Sequence, residues 1–276
     1  MIAFNQTTVA AQPVASGVVR QRLLPGEHAN ATRVVLDRLT LAANTTVRFD
    51  VPAKSLAWLQ LLEGEAMLTA VYRDQLSDTH SALLPPGFNA TLTTDKRGAC
   101  LLYAELPDAG RLDPGFSTER PLFTVLDWTR EPVLKSQHDA RKRVALVSKE
   151  LCRTDAIRIH MVIYPPGSAG LDCHHEGADT AMYIVSGHGT AWGTAGSFSV
   201  QQCDLLYVPE REKHHLQAAD SSDMRFLTFY VPGKVKTVWT DPSKVSRWVS
   251  TGLDINSRET ASDANTRRIY AANGPL

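Results

Sequence analysis

Long apolar runs are missing from this 276-residue sequence, and no stretch approaches the roughly 20 residues that a membrane-spanning helix needs. Charge of one sign is missing too. The 29 Lys and Arg balance 29 Asp and Glu, so no global field draws in nucleic acid or a charged membrane. Met1 to Gly17 has neither a charged start nor a continuous apolar segment, so it does not read as a secretory leader, and the expected location is the cytoplasm. The four cysteines, Cys100, Cys152, Cys173 and Cys203, form no C-x-x-C pair and no framework spacing, and read as reduced thiols. What the chain does have is 43% hydrophobic residues, enough to bury two cores of modest size.

Those residues alternate. Residues 33–51 switch between apolar and polar, and Gly98 to Leu106 gives a further strand before Pro107 and Gly110 break it. Ile157, Ile159, Met161 and Ile163 alternate with Arg158, His160, Val162 and Tyr164, leading into Pro165, Pro166 and Gly167. Parity leaves open whether Arg158 or His160 faces an interior, because the following loop resets the register. Between the two β-rich halves, residues 108–140 carry Pro114, Pro121 and Pro132 and read as an ordered crossover. Arg141, Lys142 and Arg143 read as a solvated strand edge. Further on, Asp241, Pro242, Val245, Trp248, Val249 and Gly252 predict a short helix with an N-cap, a first-turn proline and a terminating glycine. The polar tail, 256–276, reads as an arm or a poorly ordered end.

Two motifs stand out between Gly167 and His214. The first runs Gly167, Cys173, His175, Thr180, Gly187; the second runs Cys203, Asp204, Pro209, Arg211, His214. They resemble the paired signatures of the cupin superfamily, G-x5-H-x-H-x4-E-x6-G and G-D-x4-P-x-G-x2-H, with one His, the Glu and several glycines replaced. The first half repeats the pattern without the chemistry: Ala57, Leu59, Leu61 and Gly64 parallel Met182, Ile184 and Gly187, with Gly64 read as the tight turn that ends a strand. Pro85, Pro86, Gly87, Phe88, Asn89 and Ala90 copy the second motif with alanine at the ligand position. The resemblance implies an all-β bicupin: two tandem double-stranded β-helix (jelly-roll) barrels, the first degenerate, followed by the short C-terminal helix. The implied division is a first barrel with its arm over 1–107, a linker over 108–140, a metal-binding barrel over 141–235, and a helix and tail over 236–276.

In the second barrel the resemblance implies a metal site on His175 and His214. A strand reading x-His-x places alternate side chains on one face, which in a small barrel is the interior. The neighbours that could complete the set are His174, if a bulge re-aims it, Asp179, one residue before the family Glu, and also Cys173 and His215. The favoured set is His174, His175, Asp179 and His214, holding Fe(II) or Mn(II), with Ni or Zn as further candidates.

The fold hosts many functions, so the site must carry the argument. A His-rich centre with open positions implies a metal-dependent enzyme acting on a small polar metabolite, with dioxygenase or related redox chemistry first. The empty first barrel and the strand Met182-Tyr183-Ile184-Val185-Ser186-Gly187 look like ureidoglycine aminohydrolase, which keeps non-redox lyase, isomerase or aminohydrolase chemistry as the alternative. A non-catalytic ligand-binding bicupin is the third reading. No helix-turn-helix pattern follows the barrels, so a nucleic-acid partner is not expected. Two exposed sheet edges and terminal arms predict a homodimer or larger assembly.

Overall fold

Alternation of apolar and polar residues is realised as strands almost throughout. The computed structural model describes residues 1–28, 34–260 and 267–270. Its helices are single turns such as Ala109–Leu112 and Lys149–Cys152, and no helix among the described residues is long and apolar enough to cross a membrane.

The chain divides into two units. One holds Met1–Gln6, Arg130–Ser148 and Asp155–Thr260; the other holds Thr7–Thr129, Lys149–Thr154 and Ala261–Leu276. The first of these contains the second barrel, built from an eight-stranded and a five-stranded antiparallel sheet. In the larger sheet Met224–Val231 lies between Asp179–Ser186 and Arg158–Tyr164, and Lys142–Val147 follows next. In the smaller sheet Cys173–Glu176 lies between His214–Ala218 and Lys236–Trp239. Inward side chains of both sheets meet in one core, including Met182, Ile184, Leu206 and Phe226 from the larger and Ala191, Val200 and Leu216 from the smaller.

The N-terminal arm is the outermost strand of this larger sheet. Ile2–Asn5 pairs with the Asp204–Val208 strand, Asn5 Nδ2 donates to Asp204 Oδ1 at 2.7 Å, and the terminal ammonium pairs with Glu212.

The unit with the first barrel is a ten-stranded sheet around the two long strands Leu56–Thr69 and Asn89–Leu106. Its interior is filled with hydrocarbon: Phe49, Val51, Leu59, Leu61, Ala90 and Leu92 are all buried in one cluster, and Phe88 stacks on Phe123 at 4.5 Å. Gly64 does not end its strand, as the sequence suggests. The strand bends there, with a register shift between Gly64 and Ala66, and runs on to Thr69. Gly64 sits at φ +84°, and a Cβ on it would lie 2.4 Å from the Gly98 carbonyl. Gly187 occupies the matching position of the other barrel at φ +79°, 2.3 Å from the Asp223 carbonyl on the same measure. In both, glycine is required by conformation and by space.

Two local expectations are corrected. The C-terminal helix does not form. Asp241 Oδ1 instead accepts from the Ser243 amide and hydroxyl at 3.0 and 2.6 Å, closing a turn, and Trp248–Ser250 becomes a strand paired with Val133–Ser136. The Asp side chain offers the backbone an alternative to a helix, and Trp and Val suit a sheet edge. The basic run is not a solvated edge either. Lys142–Val147 is an internal strand between Val133–Ser136 and Arg158–Tyr164, and Arg141 is only 5% exposed. Of the polar tail, Arg267–Tyr270 pairs with Phe123–Asp127, while residues 261–266 and 271–276 lie outside the described residues.

A Cys-His-His cluster in the second barrel

Strand parity assembles the candidate site. Along Cys173–Glu176 the side chains of Cys173 and His175 face inward, and Cys173 pairs directly with His214 on the next strand. All three are buried, and one donor atom from each lies within 4.8 Å of the other two, the spacing of a group that a single metal ion could bridge. Among the described residues no other group of three His, Cys, Asp or Glu donors is so placed. The cluster lines a cavity of about 320 Å³. A larger cavity of about 660 Å³ in the other unit is lined by no His or Cys.

The ring nitrogens are oriented. His214 Nδ1 lies 2.9 Å from the Glu212 carbonyl, which can only accept, so Nδ1 carries the proton and Nε2 keeps its lone pair. His175 Nδ1 lies 3.2 Å from the Thr237 hydroxyl, and its ring packs edge-on against His214 and Tyr230 at 5.0 and 5.1 Å between centroids.

The structure does not bring His174 or Asp179 to this cluster. Pairing of Cys173–Glu176 with Lys236–Trp239 is regular, without a bulge, so His174 points to the opposite face, where it lies 3.9 Å from Glu176. Asp179 is buried, but its carboxylate is occupied: Tyr207 donates its hydroxyl at 2.8 Å and Glu210 its amide at 3.0 Å. His215 stacks on Trp192 at 4.6 Å and stands outside the group. Asp179→Ala is therefore expected to cost stability, by about 2–3 kcal/mol for lost hydrogen bonds to a charged group, while metal content stays unchanged. Denaturant unfolding and elemental analysis of the same preparation check both halves.

Residues 160–230 match the cupin domain family. Solved structures align over nearly the whole chain. Oxalate decarboxylase from Bacillus subtilis at pH 4.6 is 13% identical, with a TM-score of 0.69 over 87% of this chain and 78% of that one. A structure from work on the Mn(II) centres of the same Bacillus subtilis enzyme gives 13% and 0.68 over 87% and 79%. The fold is that of a bicupin. No curated protein matches the sequence.

Within this barrel the electrostatics favour neutral donors. Burial pulls the His175 imidazole down to about 3, with His214 and His174 acting the same way, and burial also lowers His214. Burial pushes the Cys173 thiol up to about 12, helped by Asp172 and opposed by Arg141. Three arginines, Arg141, Arg143 and Arg158, all line the cavity, whereas the sequence reads the first two as a solvated edge and leaves Arg158 open. A signal existed, since Arg141 and Arg143 share one strand parity, and Arg158 shares it with His160, which also lines the cavity.

Proposed function

We propose that the second barrel is the active centre of a metal-dependent enzyme acting on a small polar metabolite, with Cys173, His175 and His214 holding one transition-metal ion. One observation carries this reading: three buried donors converge within 4.8 Å inside a cavity, whereas the first barrel is filled with side chains such as Leu59, Leu61 and Phe49. The donors fit an ion. Both imidazoles are neutral, His214 presents a lone pair, and Cys173 would release its proton on binding.

A thiolate with two imidazoles suits iron, zinc or copper better than manganese, which prefers the carboxylate that Asp179 does not supply here. An ion with three protein ligands keeps open positions and supplies dioxygen activation or Lewis-acid polarisation of a carbonyl. Dioxygenase-type chemistry on Fe(II) is the first reading. The sulfur donor, equally suited to zinc, keeps non-redox lyase, isomerase or aminohydrolase chemistry as the second.

The chain's own residues shape what happens there. Val162, Met182, Leu216 and Phe226 form an apolar wall that limits water at the cluster. Thr237 fixes the His175 ring, and burial pushes the Tyr230 phenol up to about 12, which keeps it a proton donor at neutral pH. A cytoplasmic homo-oligomer is the proposed working form, on the ground of exposed sheet edges such as Gly196–Gln201.

Elemental analysis tests the reading. One transition-metal ion per chain is expected in the purified protein, and none in the His214→Ala variant. A wild-type protein without metal, whose thermal stability does not rise when metal is added, would favour a non-catalytic ligand-binding barrel instead.

A further inference from the structure

We infer that the substrate of this site is a small organic acid whose carboxylate is anchored in the cavity by Arg143 and Arg158. The inference rests on the second barrel being the active centre and adds the class of molecule it takes. The pattern begins with register. Arg158, His160, Val162 and Tyr164 share one face of their strand, and Arg143 on the neighbouring strand pairs with Val162. All five line the cavity, together with Arg141, and no Asp or Glu lines it at all.

The three arginines differ in what balances them. Arg141 is committed: Asp139 pairs with it at 2.7 Å, and it donates to Tyr164 and Ser246 at 3.0 and 3.2 Å. Neither Arg143 nor Arg158 has a carboxylate partner among the described residues. Arg143 lies over the Trp248 ring at 4.5 Å, and its Nε is buried without a hydrogen-bond partner. Burial lowers the Arg143 guanidinium to about 10, with Arg158 acting the same way against Tyr230, so it is still charged at neutral pH.

Two uncompensated guanidinium groups at a sheltered cavity destabilise the protein unless an anion neutralises them. The planar guanidinium fork matches a carboxylate edge to edge. The rest of the lining includes Val162, Met182, Leu216 and Phe226, whose side chains offer no donors, which suits a ligand with a carbon body and a single anionic end better than a phosphate. At about 320 Å³ the cavity has the volume of roughly ten waters, room for a small acid and little more.

Calorimetric titration of propionate, acetate and inorganic phosphate into the protein as isolated tests this, with the metal content of each sample measured alongside. Saturable binding of a carboxylate is expected, weakened about 30-fold or more in Arg143→Met and less in Arg143→Lys, with metal content unchanged. The same carboxylate should raise the melting temperature of the wild type but not of Arg143→Met. Should that variant not fold, Arg158→Met takes its place with the same expectation. Equal carboxylate affinity with and without Arg143, no binding of either carboxylate, or tighter binding of phosphate would overturn the inference. Arginine-dependent binding to a protein free of metal would leave this inference standing and remove the metal reading. A metal-loaded protein that ignores carboxylates would do the reverse.

Discussion

Replacing the sulfur donor, Cys173→Ser, is expected to weaken metal binding by more than about 100-fold, beyond the 10–100-fold that follows loss of a group merely orienting a ligand. The reason is geometric. Cys173 is buried directly opposite His214 and shares its strand face with His175, so removing its sulfur leaves two imidazoles to hold the ion. Cys173→His should retain the ion, since an imidazole at the same strand position replaces the thiolate with a nitrogen donor, but with weaker preference for zinc and copper over iron. Competition titrations with a chelator check both. Full affinity in Cys173→Ser combined with loss in Asp179→Ala would reassign the site to the carboxylate.

Acid should unfold the metal-stripped protein unusually early. His160, His175 and His214 are all buried, and burial is the largest cause lowering each of them. For His160 the neighbouring Arg143 and Arg158 add to it. The unfolded chain takes up protons on these residues near pH 6.5, while the folded protein stays neutral there. The unfolded state then binds more protons, so stability is fully present above pH 6.5 and falls as pH drops through that value. Each histidine contributes a slope of at most about 1.4 kcal/mol per pH unit, at most about 4 for the three together, a large share of ordinary domain stability. Denaturant melts between pH 7 and 5.5 should show this loss, reduced by about a third in His160→Gln. A flat profile would mean that the imidazoles gain protons in the folded state as readily as in the unfolded one.

The fold was legible because its signals are local and periodic. Alternating stretches such as Arg158–Tyr164 are strands, and Gly64 and Gly187 occupy equivalent bends that no other residue fits. His175 and His214 were legible from motif spacing, and the structure places them together. The third donor proposed here was not. Choosing His174 required a bulge that regular pairing with Lys236–Trp239 does not provide, and choosing Asp179 ignored partners distant in sequence, Tyr207 and Glu210. Cys173 has the right parity, but an isolated cysteine reads more often as a packing residue, so the sequence alone ranks it below the other two. The segment around Trp248 misled for a similar reason. Its capping pattern suits a helix, but pairing with Val133–Ser136 and packing on Arg143 are tertiary effects that no local pattern contains.

X-ray absorption at the edge of the bound metal addresses the central claim most directly, because sulfur and nitrogen or oxygen scatterers are resolved by distance. The account predicts one sulfur, at about 2.3 Å if the ion is zinc, together with two imidazole nitrogens near 2.0–2.1 Å, and loss of the sulfur contribution in Cys173→His. A first coordination sphere made only of nitrogen and oxygen in the wild-type protein would contradict it.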